Sequence, residues 1–480
     1  MNYKMVIHTV GQVVLLAAVL LVLPLLVALY YGESCVWSYL ETIIVALLVG
    51  GAMTFLCRPK NRGIFAKEGF VIVATSWLLL SAIGALPFTL SGDIPSYVDA
   101  FFETVSGFTT TGASILVDVE ALQRGNLFWR SFTHWVGGMG VLVLMMMLAS
   151  RHPDRSMNIL KAEMPGPIVG KLLPRARDTS RILYIIYFAM TVLTIFFLLI
   201  GGMPLFDSVV HAFGAAGTGG FGIKSDSIAG YSPYLQWVLT FSMMAFGVNF
   251  NVYFFLLLRR FREAAACTEM WVYLGIIATS VAVISANIYP LYSGLGESVR
   301  LAAFQVASII TTTGYATADF NLWPSLSKAI LLMLMFMGAC AGSTGGGLKV
   351  SRAVILFQMA KQEIRRAVHP RAVSVVRLDG KAVDTETQHS TAVYFMLYCL
   401  CMIVPFLILS FEPFDFETNF SATVACFNNI GPGFNMVGAA GNYSAYSNLS
   451  KIVLSLTMLM GRLEIYPLLL TFIPSGWHRR

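Results

Sequence analysis

The sequence predicts an all-α integral membrane protein in which two N-terminal helices precede four pseudo-fourfold units around a central pore. Each unit is expected to contain a span, a short pore helix, a loop and a second span. Three observations predict this fold: a highly apolar composition, ten apolar runs of spanning length, and a glycine-ended motif that recurs between those runs.

The composition is that of a membrane protein. Hydrophobic residues make up 57% of the 480-residue chain, charged residues make up 12%, and the mean hydropathy is +0.72. Soluble domains carry about 25% charged residues, so one soluble core could not bury this many apolar side chains. Runs of about 20 apolar residues are long enough to cross a bilayer. Ten such runs lie near residues 6–30, 36–56, 69–90, 127–149, 181–202, 235–258, 271–290, 326–348, 392–411 and 451–473.

The basic residues are concentrated in alternate loops. Of the 32 Lys and Arg residues, 25 lie in six segments on one side of the predicted spans, whereas acids such as Asp93, Asp99 and Glu412 occupy the intervening loops. This is the positive-inside distribution. It predicts a multi-pass protein with both termini cytoplasmic, and it explains the net charge of +7 without a nucleic-acid partner. The six segments are the N-terminus, 58–67, 151–181, 259–262, 349–381 and the last two residues.

A short motif occurs twice between spans. TTTG ends at Gly112 and again at Gly314, 202 residues later, and the stretches Ala100 to Gly112 and Ala302 to Gly314 share seven of thirteen positions. Each copy follows a semi-apolar stretch too short to cross a bilayer, which is typical of a re-entrant helix. Similar stretches follow at His211 to Gly222 and at Ser421 to Asn435.

These four stretches divide the chain into units. The loop glycines Gly112, Gly220, Gly314 and Gly431 are 108, 94 and 117 residues apart, which predicts duplicated modules around an axis. The predicted boundaries are 1–66 for the two leading helices, then 67–160, 161–265, 266–385 and 386–480 for the four units, with a broken inner helix in the third.

Four glycine-ended loops at one axis predict a cation pathway. Non-helical backbone within a membrane must be buried or line a water-filled cavity, and a ring of carbonyls and hydroxyls can replace the hydration shell of a cation. Glycine permits the backbone angles that turn carbonyls towards the axis. The short helices would direct their negative C-terminal ends at the same point.

Two glycine-rich stretches match nucleotide-binding motifs only formally. GTGGFG, at Gly217 to Gly222, lies between two spans and not in a βαβ unit. GSTGGGLK, at Gly342 to Lys349, lacks the GK[ST] ending and interrupts an apolar run, so it predicts an intramembrane loop that obstructs the pore. Close helix packing through small residues is the alternative for this stretch.

Arg462 is a charge inside the last predicted span. Such residues usually face a cavity or a partner. A pore-facing charge that limits cation leak and a structural ion pair, for example with Glu464, are equally consistent with the sequence.

The remaining reactive residues are dispersed. The seven Cys and seven His residues form no disulfide, metal-binding or hydrolytic pattern. The sequence therefore predicts that the protein is not an enzyme, with no cofactor in this chain. Rivals of another class are a polytopic membrane enzyme acting on lipids and a sensor that binds a cytosolic partner.

The motifs resemble those of the Trk/Ktr/HKT superfamily of cation transporters over essentially the whole chain, and the two leading helices favour the TrkH/TrkG potassium uptake subunits. The resemblance is carried by filter-like loops, a gate-like loop, a last-span motif and the first inner helix. These are SGFTTTGAS, GTGGFG, TTTGYAT and NNIGPGFN; GACAGSTGGGLKVSR; GRLEIYP; and FTHWVGGMG.

The resemblance implies a site for each motif. It places K⁺, the substrate and the only metal expected, at a filter formed by Thr110, Thr111, Gly112, Thr218, Gly219, Gly220, Thr312, Thr313, Gly314, Asn429, Ile430 and Gly431. It assigns a gate to Gly342, Ser343, Thr344, Gly345, Gly346, Gly347, Lys349 and the pore-facing Arg462. The second loop could shift by one residue, and the fourth loop departs from the pattern with Asn428, Asn429 and Pro432.

The resemblance also implies partners. It predicts a homodimer in the bacterial inner membrane, in the lipid bilayer, with one pore per protomer and a cytosolic TrkA-type regulatory subunit that alone binds the nucleotide. The predicted cytoplasmic loops at 151–180 and 361–390 are long enough to dock such a subunit. Coupling of K⁺ entry to Na⁺ or H⁺, as in a symporter, stays open.

Overall fold

The structure is a computed structural model that describes residues 2–59, 66–140, 176–371 and 374–472. Within these ranges the regular structure is almost entirely helical, with one small hairpin. The predicted boundary near residue 160, most of the basic segment 151–181 and the last two residues lie outside the described residues.

The described helices follow the predicted order of two leading spans and four units. The leading part contains α1 (Tyr3–Leu20) and α2 (Val22–Tyr31), which together make one span, and α3 (Val36–Leu56), which makes the second. The first unit contains α4 (Ala66–Gly84), α5 (Leu86–Ser91), α6 (Tyr97–Phe108) and α7 (Arg124–Gly138). The second contains α8 (Ala176–Ile200), α9 (Leu205–Gly217), α10 (Pro233–Phe246), α11 (Phe250–Leu257) and the short α12 (Phe261–Ala265).

The other two units have the same plan. The third contains α13 (Thr268–Ile288), α14 (Leu295–Ile310), α15 (Ser325–Phe336) and α16 (Val350–Val368). A hairpin of β1 (Arg377–Leu378) and β2 (Lys381–Ala382) follows. The fourth contains α17 (Thr385–Leu409), α18 (Phe416–Phe427), α19 (Asn448–Arg462) and α20 (Tyr466–Phe472). Among the described residues, single 3₁₀ turns lie at Tyr289–Leu291, Phe320–Leu322 and Asn435–Val437.

Fewer unbroken helices have spanning length than the ten predicted runs. Among the described residues, six helices are long and apolar enough to cross a membrane, and α10 with α11 makes a seventh if that bent pair counts as one span. The predicted spans 326–348 and 451–473 correspond to the shorter helices α15 and α19, and both are followed by non-helical backbone. The predicted span 127–149 begins with α7, and its residues 141–149 lie outside the described residues.

Breaks in the inner helices differ in their causes. The predicted run 235–258 bends by 90° between α10 and α11, where Gly247 leaves the helix and the Asn249 side chain caps the next one. The third inner helix stops at Phe336 and resumes at Val350, as the glycine-rich run predicts. The last one breaks after Arg462, where Glu464 and Ile465 adopt positive φ.

The hydrophobic core surrounds the four short helices α6, α9, α14 and α18. One large cluster packs the leading helices and the first unit against α19 and includes Trp77 and Trp129, while a second encloses α14. Close packing of α1 on α3 requires small residues, since a Cβ on Gly50 would lie 3.0 Å from the carbonyl oxygen of Gly11. This packing holds the four short helices with their C-terminal ends at the axis.

Candidate functional site

The four loops that follow α6, α9, α14 and α18 share one backbone path. A residue in the left-handed region follows the end of each short helix within two positions: φ is 56° at Thr110, 54° at Thr218, 60° at Thr312 and 56° at Asn429. This conformation is uncommon for any residue except glycine and is strained for β-branched threonine. The four loops therefore adopt the same sparsely populated conformation.

The next residue in each loop is held by the same hydrogen bond to the helix end. Its N–H donates to the carbonyl five residues earlier. The four bonds are Thr111 to Ser106 at 2.9 Å, Gly219 to Gly214 at 2.9 Å, Thr313 to Ser308 at 2.8 Å and Ile430 to Ala425 at 2.8 Å. Because the bond recurs at equivalent positions, backbone geometry gives the fourfold pseudosymmetry that the sequences show only partly.

A glycine with positive φ follows at the third position of every loop. Its φ is 76° at Gly112, 77° at Gly220, 85° at Gly314 and 93° at Gly431. Left-handed residues on both sides of the middle residue turn the chain so that consecutive carbonyls can point to one side, which a regular strand does not allow.

The four loops contact one another in a closed ring. A Cβ on Gly112 would overlap the carbonyl oxygen of Gly219, and one on Gly220 would overlap that of Thr313. The series continues from Gly314 to the carbonyl oxygen of Ile430, and a Cβ on Gly431 would lie 2.6 Å from that of Thr111. Each glycine thus faces the residue before the glycine of the next unit. This cyclic order aligns Gly219 with Thr111, so Gly220 is the equivalent glycine in the second loop.

Side chains around the ring are less symmetric than its backbone. Thr109 and Thr111 share a hydroxyl hydrogen bond of 2.7 Å, and Thr311 and Thr313 share the same bond at 2.7 Å. In the fourth loop the Asn429 amide donates instead to Thr111 Oγ1 at 3.0 Å and to the carbonyl of Met458 at 2.9 Å. The departure at Asn429 therefore changes the side chains that support the ring and leaves its backbone path intact.

The glycine-rich loop lies directly against the third and fourth ring loops. The Gly346 N–H donates to Thr312 Oγ1 at 2.7 Å, and a Cβ on Gly346 would lie 2.6 Å from the carbonyl oxygen of Asn428. The buried Lys349 ammonium donates to the carbonyls of Gly345 and Gly346. The loop is therefore held against the ring by its bond to Thr312. The Lys349 ammonium, at the C-terminal end of the loop, also holds the loop's own carbonyls.

The same loop is bonded to the bend of the second unit. The Cys340 N–H donates to the Gly247 carbonyl at 3.0 Å, and the Phe250 N–H donates to the Gly342 carbonyl at 3.1 Å. The Ser343 hydroxyl turns back to the Cys340 carbonyl at 2.6 Å. Backbone N–H and C=O groups that the two helix breaks leave unpaired thus hydrogen bond to each other. This pairing explains why both breaks are tolerated within the membrane.

Arg462 joins this loop to the first unit. Its guanidinium donates to the carbonyl of Thr344 at 2.8 Å and to those of Gly137 and Gly138 at 2.6 and 2.7 Å. The carboxylate of Glu464 accepts two hydrogen bonds from Arg352, at 3.0 and 2.6 Å. The eight residues predicted for the gate are therefore brought together, with Gly347 closing the loop against Gly338.

Two buried acids near the ring were not predicted. Glu103 forms a buried ion pair of 2.6 Å with Arg130, whose guanidinium also donates to the carbonyl of Gly222 at 3.0 Å. Glu269, in the first turn of α13, accepts hydrogen bonds from the intramembrane loop. Their positions offered one signal each: Glu103 lies in the repeated stretch before TTTG, and Glu269 lies two residues before the predicted span 271–290.

The ring offers backbone oxygens to a cation. A ring of carbonyl oxygens can bind a dehydrated alkali cation. In the described part of the chain, no group of three or more His, Cys, Asp or Glu side chains is placed to hold a metal ion. Carbonyl oxygens of the four ring loops are thus the donor set that the geometry offers.

Comparisons with known proteins agree with this geometry. A family model named TrkH, described as a cation transport protein, matches residues 38–270 and 270–479. The chain is 34% identical to the Trk system potassium uptake protein TrkH of Escherichia coli K12 over 484 residues, covering 99% of this chain and 100% of that protein. It is also 34% identical to the TrkG protein of the same strain, covering 99% of each.

A solved structure has the same overall fold. The crystal structure of the potassium transporter TrkH from Vibrio parahaemolyticus superimposes with a TM-score of 0.90 at 31% sequence identity, and the match covers 100% of both chains. The chain belongs to the TrkH family of cation transport proteins.

Proposed function

We propose that this protein is a potassium uptake transporter that passes K⁺ through the ring of four loops across the bacterial inner membrane. The observation that carries the proposal is the closed cyclic contact of Gly112, Gly220, Gly314 and Gly431 with the carbonyl of the next loop. The relatives are named as potassium uptake proteins. The apolar helices fit a multi-pass protein of that membrane, and the basic segments favour cytoplasmic termini.

The ring would act as the filter. The predicted ligands are the three consecutive residues of each loop that end at its glycine, and the glycines support this assignment because they let neighbouring loops approach closely. The C-terminal ends of α6, α9, α14 and α18 point their negative dipole ends at the ring, which favours a cation there. K⁺ loses its hydration shell most easily where carbonyls already occupy the positions of the lost waters.

The intramembrane loop and Arg462 would form the gate. A cation that leaves the ring on the side of the loop meets backbone bonded to Thr312 and a guanidinium bonded to Thr344. The bonds of Arg462 to Gly137 and Gly138 extend this barrier to the first unit. Opening therefore requires the loop to leave these partners, which sets the site for regulation.

A cytosolic nucleotide-binding subunit of the TrkA type is proposed as the regulator, and a second copy of the chain as the partner in the membrane. The predicted cytoplasmic region 361–390 supports the first interaction because it follows the loop directly through α16. Nucleotide binding is assigned to the regulator, since GTGGFG belongs to a ring loop here.

Uptake of ⁸⁶Rb⁺ into liposomes that contain the purified protein tests the function. We expect uptake that K⁺ competes away at concentrations at which Na⁺ does not, and we expect it to continue without a Na⁺ or proton gradient. Dependence on such a gradient would indicate a symporter. Absence of uptake by folded protein, with and without the regulator, would refute the proposal.

A matched pair of glycine variants connects the flux to the ring. Gly112 and Gly202 both have positive φ, at 76° and 79°, but only Gly112 faces a neighbouring loop, because nothing lies within 4 Å of a Cβ on Gly202. We expect Gly112→Ser to abolish the preference for K⁺ over Na⁺ and Gly202→Ser to retain it. Equal selectivity in the two variants would place the filter elsewhere.

A further inference from the structure

The hairpin after α16 has a turn that its sequence dictates. Asp379 and Gly380 connect β1 to β2 with φ of 50° and 74°. Two positive φ values in a two-residue turn are those of type I′, for which Asp-Gly is a favoured pair. The turn holds the Asp379 side chain at the tip of the hairpin.

The hairpin is fixed along α16, the helix that directly follows the intramembrane loop. Gln358 accepts from the Arg377 N–H at 2.9 Å and donates to the Arg377 carbonyl at 2.8 Å, as a neighbouring strand would. Gln362 donates to the Ser374 carbonyl at 2.8 Å. Ile355 packs in a small apolar cluster with the hairpin. The hairpin and α16 therefore form one substructure.

The tip of the hairpin caps a different helix. Asp379 Oδ1 accepts a hydrogen bond of 2.7 Å from the N–H of Thr268, the first residue of α13. Cys267, at the N-cap position, makes no side-chain capping bond. Because the first N–H groups of a helix lack partners within it and favour negative charge, Asp379 supplies the cap from 111 residues away.

The next residue of α13 holds the intramembrane loop. Glu269 is buried, and its Oε1 accepts hydrogen bonds from the Ala341 N–H at 2.7 Å and the Ser351 N–H at 2.8 Å. Ala341 lies before the glycine-rich run and Ser351 lies after it, so one carboxylate oxygen ties the two ends of the loop together. A buried carboxylate in this position fixes the base of the loop.

We propose that Glu269 and Asp379 are positioning residues that couple the hairpin to the intramembrane loop through the first turn of α13. Displacement of the hairpin by a soluble partner removes the cap on Thr268, shifts Glu269 and releases Ala341 and Ser351. The inference rests on the proposed function in one respect, namely that the loop acts as the gate. The contacts of Asp379 with Thr268 and of Glu269 with the loop do not depend on any ion flux.

Amide hydrogen exchange of the full-length protein, read by mass spectrometry on peptides covering 338–353, tests the coupling. Glu269→Leu keeps the bulk of the side chain and removes the oxygen that accepts both hydrogen bonds, so amide exchange in these peptides should quicken at least about tenfold. Glu269→Gln keeps an acceptor oxygen and should stay within about threefold of the parent. Asp379→Ala should quicken exchange in the same peptides at least about threefold. Its effect should be smaller than that of Glu269→Leu, because Asp379 bonds to α13 and acts on the loop only through Glu269.

Asp384→Ala is the matched control. Asp384 is also an exposed aspartate that caps a span, accepting from the Thr387 N–H of α17 at 2.6 Å, but α17 makes no such contact with the loop through its first turn among the described residues. Its loss should leave exchange in 338–353 unchanged. The ⁸⁶Rb⁺ flux of the Glu269→Leu and Asp379→Ala proteins should exceed that of the parent, and that of Asp384→Ala should equal it.

Two results would overturn the proposal. The relay is wrong if Asp379→Ala quickens exchange in the first turn of α13 and leaves 338–353 at the parent rate. The role of the carboxylate is wrong if Leu and Gln at Glu269 behave alike. Exchange requires no transport, so a protein that carries no ⁸⁶Rb⁺ would refute the proposed function and still permit this test.

Discussion

Valine substitutions at two equivalent threonines separate the contact between ring and loop from the geometry of the ring itself. Thr110 and Thr312 are both buried, with φ of 56° and 60°. Thr312 Oγ1 accepts the Gly346 N–H at 2.7 Å, whereas Thr110 Oγ1 has no hydrogen-bond partner within the described ranges. Valine keeps the β-branched shape and removes only the hydroxyl, so the two variants differ by one hydrogen bond.

The expected magnitude follows from the group left behind. Thr312→Val leaves a buried N–H at Gly346 without its acceptor, which costs about 1–3 kcal/mol of the free energy that holds the loop against the ring. That range corresponds to about a 5- to 150-fold larger open population. Thr110→Val removes a hydroxyl that has no such partner, so we expect a change in stability of less than about 0.5 kcal/mol.

Both quantities can be measured on the purified proteins. Thermal unfolding in detergent should show a lower midpoint for Thr312→Val than for Thr110→Val, and unregulated ⁸⁶Rb⁺ uptake should be higher for Thr312→Val by about fivefold or more. The reasoning is refuted if the two variants match in both measurements, because the hydrogen bond to Gly346 would then have no influence on the loop.

Three other substitutions probe the ring, the arginine and the buried acid. Gly431→Ala should lower the unfolding midpoint and the selectivity more than Gly92→Ala, since both have positive φ and only Gly431 has carbonyl atoms within 3 Å of a new Cβ; equal effects would contradict this. Arg462→Gln removes a charge along the proposed pathway and should raise ⁸⁶Rb⁺ flux, because the guanidinium repels a cation that leaves the ring; unchanged flux would count against a pore-facing charge. Glu103→Gln leaves a buried arginine without its counter-charge and should reduce the free energy of unfolding by about 3–5 kcal/mol, measured against Glu363→Gln at an exposed pair, which should be near neutral.

The sequence was sufficient where a local pattern determines local backbone. TTTG ending at Gly112 and at Gly314 predicted two loops, and the same arrangement of a short semi-apolar stretch and a glycine-rich loop between spans extended the series to Gly220 and Gly431. The break before Val350 followed from five glycines in a short run. The order of spans and short helices could be read in the same way, because apolar runs and their lengths decide it.

Features that depend on distant partners could not be predicted from the pattern. The bend after Phe246 is stable because Cys340 and Gly342 satisfy its backbone, and those residues lie in another unit. Glu269 acquires its role only from two N–H groups that folding brings to it. The hairpin was a different kind of omission, since Asp379-Gly380 between two short, largely apolar stretches is a hairpin signal in the sequence itself.

The ring explains why four unlike sequences can build one symmetric site. The residues before the four glycines are Thr, Gly, Thr and Ile, so no side chain is common to them, and the group that all four share is the backbone carbonyl proposed above as the ligand. The side chains at these positions can therefore differ from one loop to the next, according to what each one packs against. At Gly219 a Cβ would overlap the ring of His134, which hydrogen bonds to the Gly107 carbonyl at 2.7 Å. The double glycine of the second loop therefore has two causes: Gly220 serves the ring and Gly219 makes room for His134.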